Sequence, residues 1–187
     1  RSTLFPTRRS SDLYDNLISG NGYKVRLLLT QLGLPFERVE VDIFKGESRT
    51  PEFLALNPNG RIPTLRLEDG SCLAESNAIL CYLADGTDFW PGDRKARAET
   101  LQWLFFEQYS HEPYIAVLRF WAHLPELSEL QQAERPGRKE RGEQALGVME
   151  DHLSERAFFV GERYRLADIA LYAYTHVAEE GGFDLQP

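Results

Sequence analysis

Asn57 to Ser76 reads N-P-N-G-R-I-P-T-L-R-L-E-D-G-S-C-L-A-E-S, and two of its features suit a small acidic peptide. Pro63 brings no amide hydrogen to the sheet it enters. The backbone of Ile62 is therefore left unpaired, open to an extended ligand that adds itself as a strand. Ser76 falls at the start of a helical run, where the first amides are open and favour a carboxylate. A peptide lying along Ile62 brings its acid group to Ser76. Ser19 and Asn21 offer a hydroxyl and an amide just before another helix. Such residues commonly cap a helix, and they can equally donate to a ligand. The two cysteines, Cys72 and Cys81, show neither C-x-x-C nor metal-ligand spacing. They read as packing thiols, and no metal is expected.

The elements that must position these groups follow from local pattern. Asp12 to Tyr14 is a first strand, short enough that its pairing is expected to be poor. After a loop from Asp15 to Gly22, a helix is expected from about Tyr23 to Leu32, with Val25, Leu28, Leu29 and Leu32 on one face. Gly33 caps its end and Pro35 confirms the stop. Phe36 to Val41 is a second strand, so strand, helix and strand form a right-handed β-α-β unit. A short helix near Pro51 to Leu56 follows. Thr64 to Leu67 then pairs with Cys72-Leu73 across the turn Glu68-Asp69-Gly70-Ser71. Ser76 is placed to cap a helix from Asn77 to Ala84 that turns Ile79, Leu80 and Leu83 inward. This is a thioredoxin-like layout without the redox cysteine pair.

Asp85 to Gly92 is polar, carries Phe89-Trp90-Pro91, and marks a domain boundary. Beyond it every periodic run is helical. Arg94 to about Phe120 is rich in aromatics, with Leu101, Leu104, Phe105 and Leu118 at core spacing and Pro113 expected to kink it. Pro136-Gly137 is expected to interrupt the next, polar helix, which resumes near Arg138 and aligns Leu146, Met149 and Leu153. Phe158 to Gly161 reads as a buried turn, and Ala167 to Ala178 as an apolar helix. The fold class is α+β: a thioredoxin-like domain at 12–86, a linker at 87–93 and an all-α helical domain at 94–187.

At 187 residues the chain holds one ordinary domain or two small ones. A net charge of −8 argues against a nucleic-acid partner. No apolar run approaches the roughly 20 residues of a membrane helix, and no secretory signal is visible, so a cytoplasmic protein is expected. Residues 1–11, R-S-T-L-F-P-T-R-R-S-S, are basic and serine-rich in an acidic chain. They resemble a translated sequencing adaptor more than a transit peptide and stand outside the fold.

N-P-N-G-R-I-P-T-L, the pair Glu75-Ser76 and S-G-N-G-Y-K-V-R-L-L-L from Ser19 together resemble the glutathione S-transferase family, from about Leu13 to the end of the chain. The resemblance implies that glutathione is the co-substrate and that the protein lowers the pKa of its thiol. It puts the activating hydroxyl at Ser19, with Asn21 the competitor because some bacterial members share the S-x-N pattern and use the amide. It implies a cis bond before Pro63, main-chain pairing of the cysteinyl unit at Ile62, and the γ-glutamyl ammonium at Glu75 with its carboxylate at Ser76. Lys45 and Arg61 become candidates for the glycyl carboxylate. Trp103, Tyr109, His111 and Tyr114 become candidates for an apolar electrophile pocket.

A homodimer is implied as well, using the Glu75 to Ala84 and Arg94 helices. The sequence departs from the family at Arg165, where a hydroxyl usually opens the S/T-x-x-D box ending here at Asp168, and at Pro187, where relatives continue. The expected activity is conjugation of glutathione to small electrophiles, a detoxifying transfer. A glutathione-dependent disulfide reductase or peroxidase and a non-catalytic binding module stand as alternatives on the same fold.

Overall fold

The computed structural model describes residues 11–186. The adaptor-like segment therefore lies outside the described residues except for Ser11. The chain divides into two compact units between Trp90 and Pro91, inside the stretch that the sequence marks as a linker.

The first unit is a four-stranded mixed sheet, ordered β2-β1-β3-β4, flanked by helices in a thioredoxin-like arrangement. Strand β1 (Ser11–Asp15) runs parallel to β2 (Phe36–Glu40) and pairs with it at all five positions, from Ser11 opposite Phe36 to Asp15 opposite Glu40. The poor pairing expected of a shortened first strand is not found. Both neighbours of β1 are in place, because β3 (Thr64–Arg66) pairs antiparallel on its other side. Strand β4 (Cys72–Ala74) closes the hairpin, and Gly70 takes φ 85° in its turn, a conformation that costs a side chain about 1–2 kcal/mol.

Helix α1 (Gly20–Gln31) begins three residues earlier than the hydrophobic periodicity indicates, because Ser19 caps it before the first apolar residue appears. Val25, Leu28 and Leu29 are buried as expected. Each fully buried side chain of this size contributes about 1.5–3 kcal/mol. Gly33, at φ 65°, ends the helix. Helix α2 (Pro51–Leu56) carries its proline in the first turn, where no amide is needed, and Thr50 Oγ1 accepts from Phe53 N. Helix α3 (Ser76–Ala84) buries Ile79, Leu80 and Leu83.

The second unit is all helical. Its first long run is divided in three: α4 (Arg94–Phe106), a π-helical turn at Glu107–His111, and α5 (Glu112–Ala122). Pro113 lies in the first turn of α5, so the wide π turn before it absorbs the missing amide hydrogen bond. Leu104 and Leu118 are buried, whereas Leu101 and Phe105 are exposed, a correction to the expected core face. Helix α6 (Glu129–Leu153) runs without a break through Pro136. The expected interruption is not found: Pro136 lies on an exposed face of the helix, and Arg138 binds the Glu134 carboxylate at 2.8 Å across it. A capping box joins Ser128 and Gln131 at the helix start.

Helix α7 (Leu166–Thr175) packs Ala167 and Leu171 against Trp103, Met149, Phe159 and Val160. Its capping box is half intact. Asp168 Oδ2 accepts from Arg165 N at 2.8 Å, and Oδ1 accepts from Phe159 N at 3.0 Å. An arginine has no acceptor with which to return the favour.

Candidate functional site

The site grows from three turns of the first unit. The loop between β1 and α1 is held by Asn16, which is almost fully buried. Its Nδ2 donates to Glu40 Oε1 at 2.8 Å and its Oδ1 accepts from Ile18 N at 3.2 Å. Arg26 braces the same loop from below by donating to Leu17 O at 3.0 Å and pairing with the buried Asp15. Ser19 then caps α1, its Oγ accepting the Gly22 N–H at 3.0 Å. The oxygen is thereby oriented by the helix, while a hydroxyl that accepts can still donate its own proton.

The second turn joins α2 to β3. Asn57 is buried and acts as its clasp, with Nδ2 donating to Arg61 O at 2.7 Å and Thr64 Oγ1 at 3.2 Å. Gly60 takes φ 62° with the Ser48 carbonyl 2.9 Å from where a Cβ would sit, so neither the conformation nor the space admits another residue easily. The Ile62–Pro63 bond is cis. Among the described residues, the N–H and C=O of Ile62 make no backbone hydrogen bond.

The third turn is the start of α3. The sequence suggests Ser76 as its cap, but the helix begins at Ser76 and Glu75 occupies the cap position. Glu75 has φ 64°, the only non-glycine with positive φ among the described residues. Such a conformation costs about 1–3 kcal/mol and persists where the surroundings demand it. The Ser76 hydroxyl is buried and donates to Asn21 Oδ1 at 3.1 Å. Ser76 lies inside the first turn rather than ahead of it, and its proton is engaged across the gap to α1. Asn21 and Ser76 thus meet where two helix N-termini come together, and Ser19 caps the first of those helices. Neither helix has an acidic residue in its first turn to compete for an anion.

Lys45 is exposed and pairs with Asp42 at 2.9 Å, which holds the Asp42 carboxyl below its usual range and raises the lysine. The Arg61 side chain is exposed, and among the described residues neither cation bonds to Ser19, Asn21 or Ser76. The aromatic set divides. Trp103 is buried among Met149, Phe159 and Leu171, and its ring lies 4.7 Å from that of Phe159. His111 is fully buried in the π turn, its Nε2 2.9 Å from Thr175 Oγ1. Both are buried within the helical unit. Tyr109 and Tyr114 do reach the surface, where with Phe106, Arg141 and Val148 they line an open depression of about 390 Å³.

Asn16 and Asn57, the two clasps, carry no sequence signal beyond a common loop residue. Burial pushes both protein thiols up, Cys72 and Cys81 alike, which makes them poor nucleophiles. Among the described residues, no cluster of three or more His, Cys, Asp or Glu is arranged to hold a metal, and no helix is long and apolar enough to cross a membrane.

Known proteins share this construction. The family described as glutathione S-transferase, N-terminal domain, matches residues 18–85. Glutathione S-transferase 2 of Schizosaccharomyces pombe is 34% identical over 178 residues, spanning 88% of this chain and 74% of that protein. The crystal structure of a glutathione S-transferase from Pseudomonas fluorescens superposes with a TM-score of 0.91 at 56% identity, covering 95% of this chain and 88% of that one. A glutathione transferase from Burkholderia graminis, solved with two glutathione molecules bound per subunit, superposes with a TM-score of 0.80 at 34% identity, covering 91% and 73% respectively.

Proposed function

This chain belongs to the glutathione S-transferase family, and from that premise we propose that it binds glutathione at the Ser19–Asn21–Ser76 group and transfers it to small electrophiles. The observation that carries the proposal is the 3.1 Å hydrogen bond between Ser76 and Asn21, which joins two open helix N-termini. The cysteinyl backbone of glutathione pairs with the unengaged main chain of Ile62. Its γ-glutamyl carboxylate meets Ser76 and the first amides of α3, with Glu75 facing the ammonium. Lys45 and Arg61 remain the candidates for the glycyl carboxylate, reached by their flexible, exposed side chains. Tyr109 and Tyr114 are the part of the aromatic set with surface to offer an electrophile.

The reaction needs a thiolate. A thiol with pKa about 8.5 is only about 3% ionised at pH 7, and lowering the pKa by about two units makes it roughly three-quarters ionised. A hydrogen bond to a charged sulfur, about 1.5–3 kcal/mol, together with a helix N-terminus, about 0.3–1 kcal/mol, supplies energy of that order. Ser19 is the donor we assign: its oxygen accepts the Gly22 N–H, which leaves its own proton to donate to the sulfur. A two-unit drop raises the thiolate about 25-fold, so the remaining acceleration comes from holding sulfur and electrophile together. The proton leaves to solvent and the sulfur displaces the electrophile's leaving group.

The test compares two reactions of the same protein with glutathione: conjugation of an aromatic halide and reduction of a mixed disulfide. Conjugation is expected to be the faster. Dominant disulfide reduction would reassign the chain to a reductase on the same fold, and glutathione binding without either reaction would make it a binding module.

A further inference from the structure

Lys24 is the largest side chain among the described residues to be wholly buried. Its amino group donates to Asn77 Oδ1 at 3.0 Å, one turn of α1 beyond the Asn21–Ser76 bond. Asn77 directly follows Ser76, so α1 grips the first two residues of α3 through two successive polar rungs. A lysine is a costly means of joining two helices. An apolar side chain of similar volume would fill the space with no amine to desolvate, and replacements of buried ionic groups by apolar ones are often neutral or stabilising. The Lys24–Asn77 bond is directional where an apolar contact is not, and it fixes the azimuth of the first turn of α3.

We propose that Lys24 is a positioning residue, which through Asn77 sets the first turn of α3 so that Ser76 presents its hydroxyl and amide to the γ-glutamyl carboxylate. The proposal rests on the glutathione reading above. Lys24 is closed off from solvent, so it acts on the ligand through Asn77. Its bond to Asn77 acts on the part of the ligand that α3 receives.

The experiment compares the full chain with Lys24→Met and Asn77→Ala in binding titrations followed by NMR, which read affinities into the millimolar range. Two ligands are used: glutathione, and N-acetylcysteinylglycine, which keeps the cysteinyl and glycyl units but lacks the γ-glutamyl carboxylate. Lys24→Met is expected to melt at or above the temperature of the unmodified chain and to bind glutathione about tenfold more weakly, with N-acetylcysteinylglycine unaffected. Asn77→Ala, which removes the acceptor and leaves the lysine, is expected to show the same ligand-selective loss, so the proposal stays testable even if Lys24→Met fails to fold. Equal weakening of both ligands, or a lower melting temperature with unchanged affinities, makes Lys24 a merely structural residue and overturns the proposal. An unmodified chain that fails to bind glutathione overturns the underlying reading instead, and the two failures are separately visible.

Discussion

Replacing Ser76 by alanine tests the site at its junction. The hydroxyl has one proton, and in the free protein that proton goes to Asn21 Oδ1 at 3.1 Å. When a carboxylate arrives, the proton must change acceptor. A hydrogen bond to a charged group contributes about 1.5–3 kcal/mol and a neutral one about 0.5–1.5 kcal/mol, so the exchange favours binding by about 1–2 kcal/mol. Ser76→Ala is therefore expected to weaken glutathione by about 5- to 30-fold. The free protein also loses the neutral bond, and for a chain of this length its melting temperature falls by about 1–6 °C. Titration calorimetry with glutathione reads the first quantity and a thermal melt the second. An unchanged Kd beside a lowered melting temperature would show that Ser76 only ties α3 to α1, and that the carboxylate is received elsewhere.

Ser19→Ala is expected to reduce kcat for conjugation much more than it weakens glutathione binding, measured by steady-state kinetics beside calorimetry; equal losses would reduce Ser19 to a contact. Arg165→Ser restores a hydroxyl at the head of α7 and removes a guanidinium whose Nε is buried without a hydrogen-bond partner, so chemical denaturation should show about 0.5–2 kcal/mol of added stability. Burial pushes the Asp168 carboxyl up, against the opposing bonds from Phe159 N and Arg165 N. A raised folded-state value means that this group's contribution is full below its unfolded value and is lost as pH rises through the folded one. Denaturation of the unmodified chain against Asp168→Asn, between about pH 3 and about pH 6, should therefore show the aspartate losing ground as pH rises.

The fold was readable wherever one local signal acted alone. Leu28 and Leu29 on α1, and Ile79 and Leu83 on α3, are buried because helical periodicity and burial coincide there. The misreadings lie where two signals compete. Pro136 carries a strong breaker signal, yet an exposed helix face bridged by Glu134 and Arg138 accommodates it. Phe105 has core chemistry and is 69% exposed, because apolar spacing on a long helix does not say which of its faces is covered.

The candidate site was legible in its residue types and only partly in its geometry. Ser19 reads as a cap and is one, but Ser76 reads as a cap and is instead bonded to a residue 55 positions earlier. Such a bond is set by tertiary packing, which no local window contains. Trp103 and His111 are both buried in the helical unit, which their place on a helix does not by itself reveal. The clasps Asn16 and Asn57 are ordinary loop asparagines until the partners of their amides are known.

The account stands most directly on where a glutathione sulfur comes to rest. A crystal structure of this chain with glutathione is predicted to place that sulfur within hydrogen-bonding reach of Ser19 Oγ, with the cysteinyl main chain paired to Ile62 and the γ-glutamyl carboxylate on Ser76. A tripeptide bound with its sulfur remote from the start of α1, or with its acid group away from the start of α3, would contradict it.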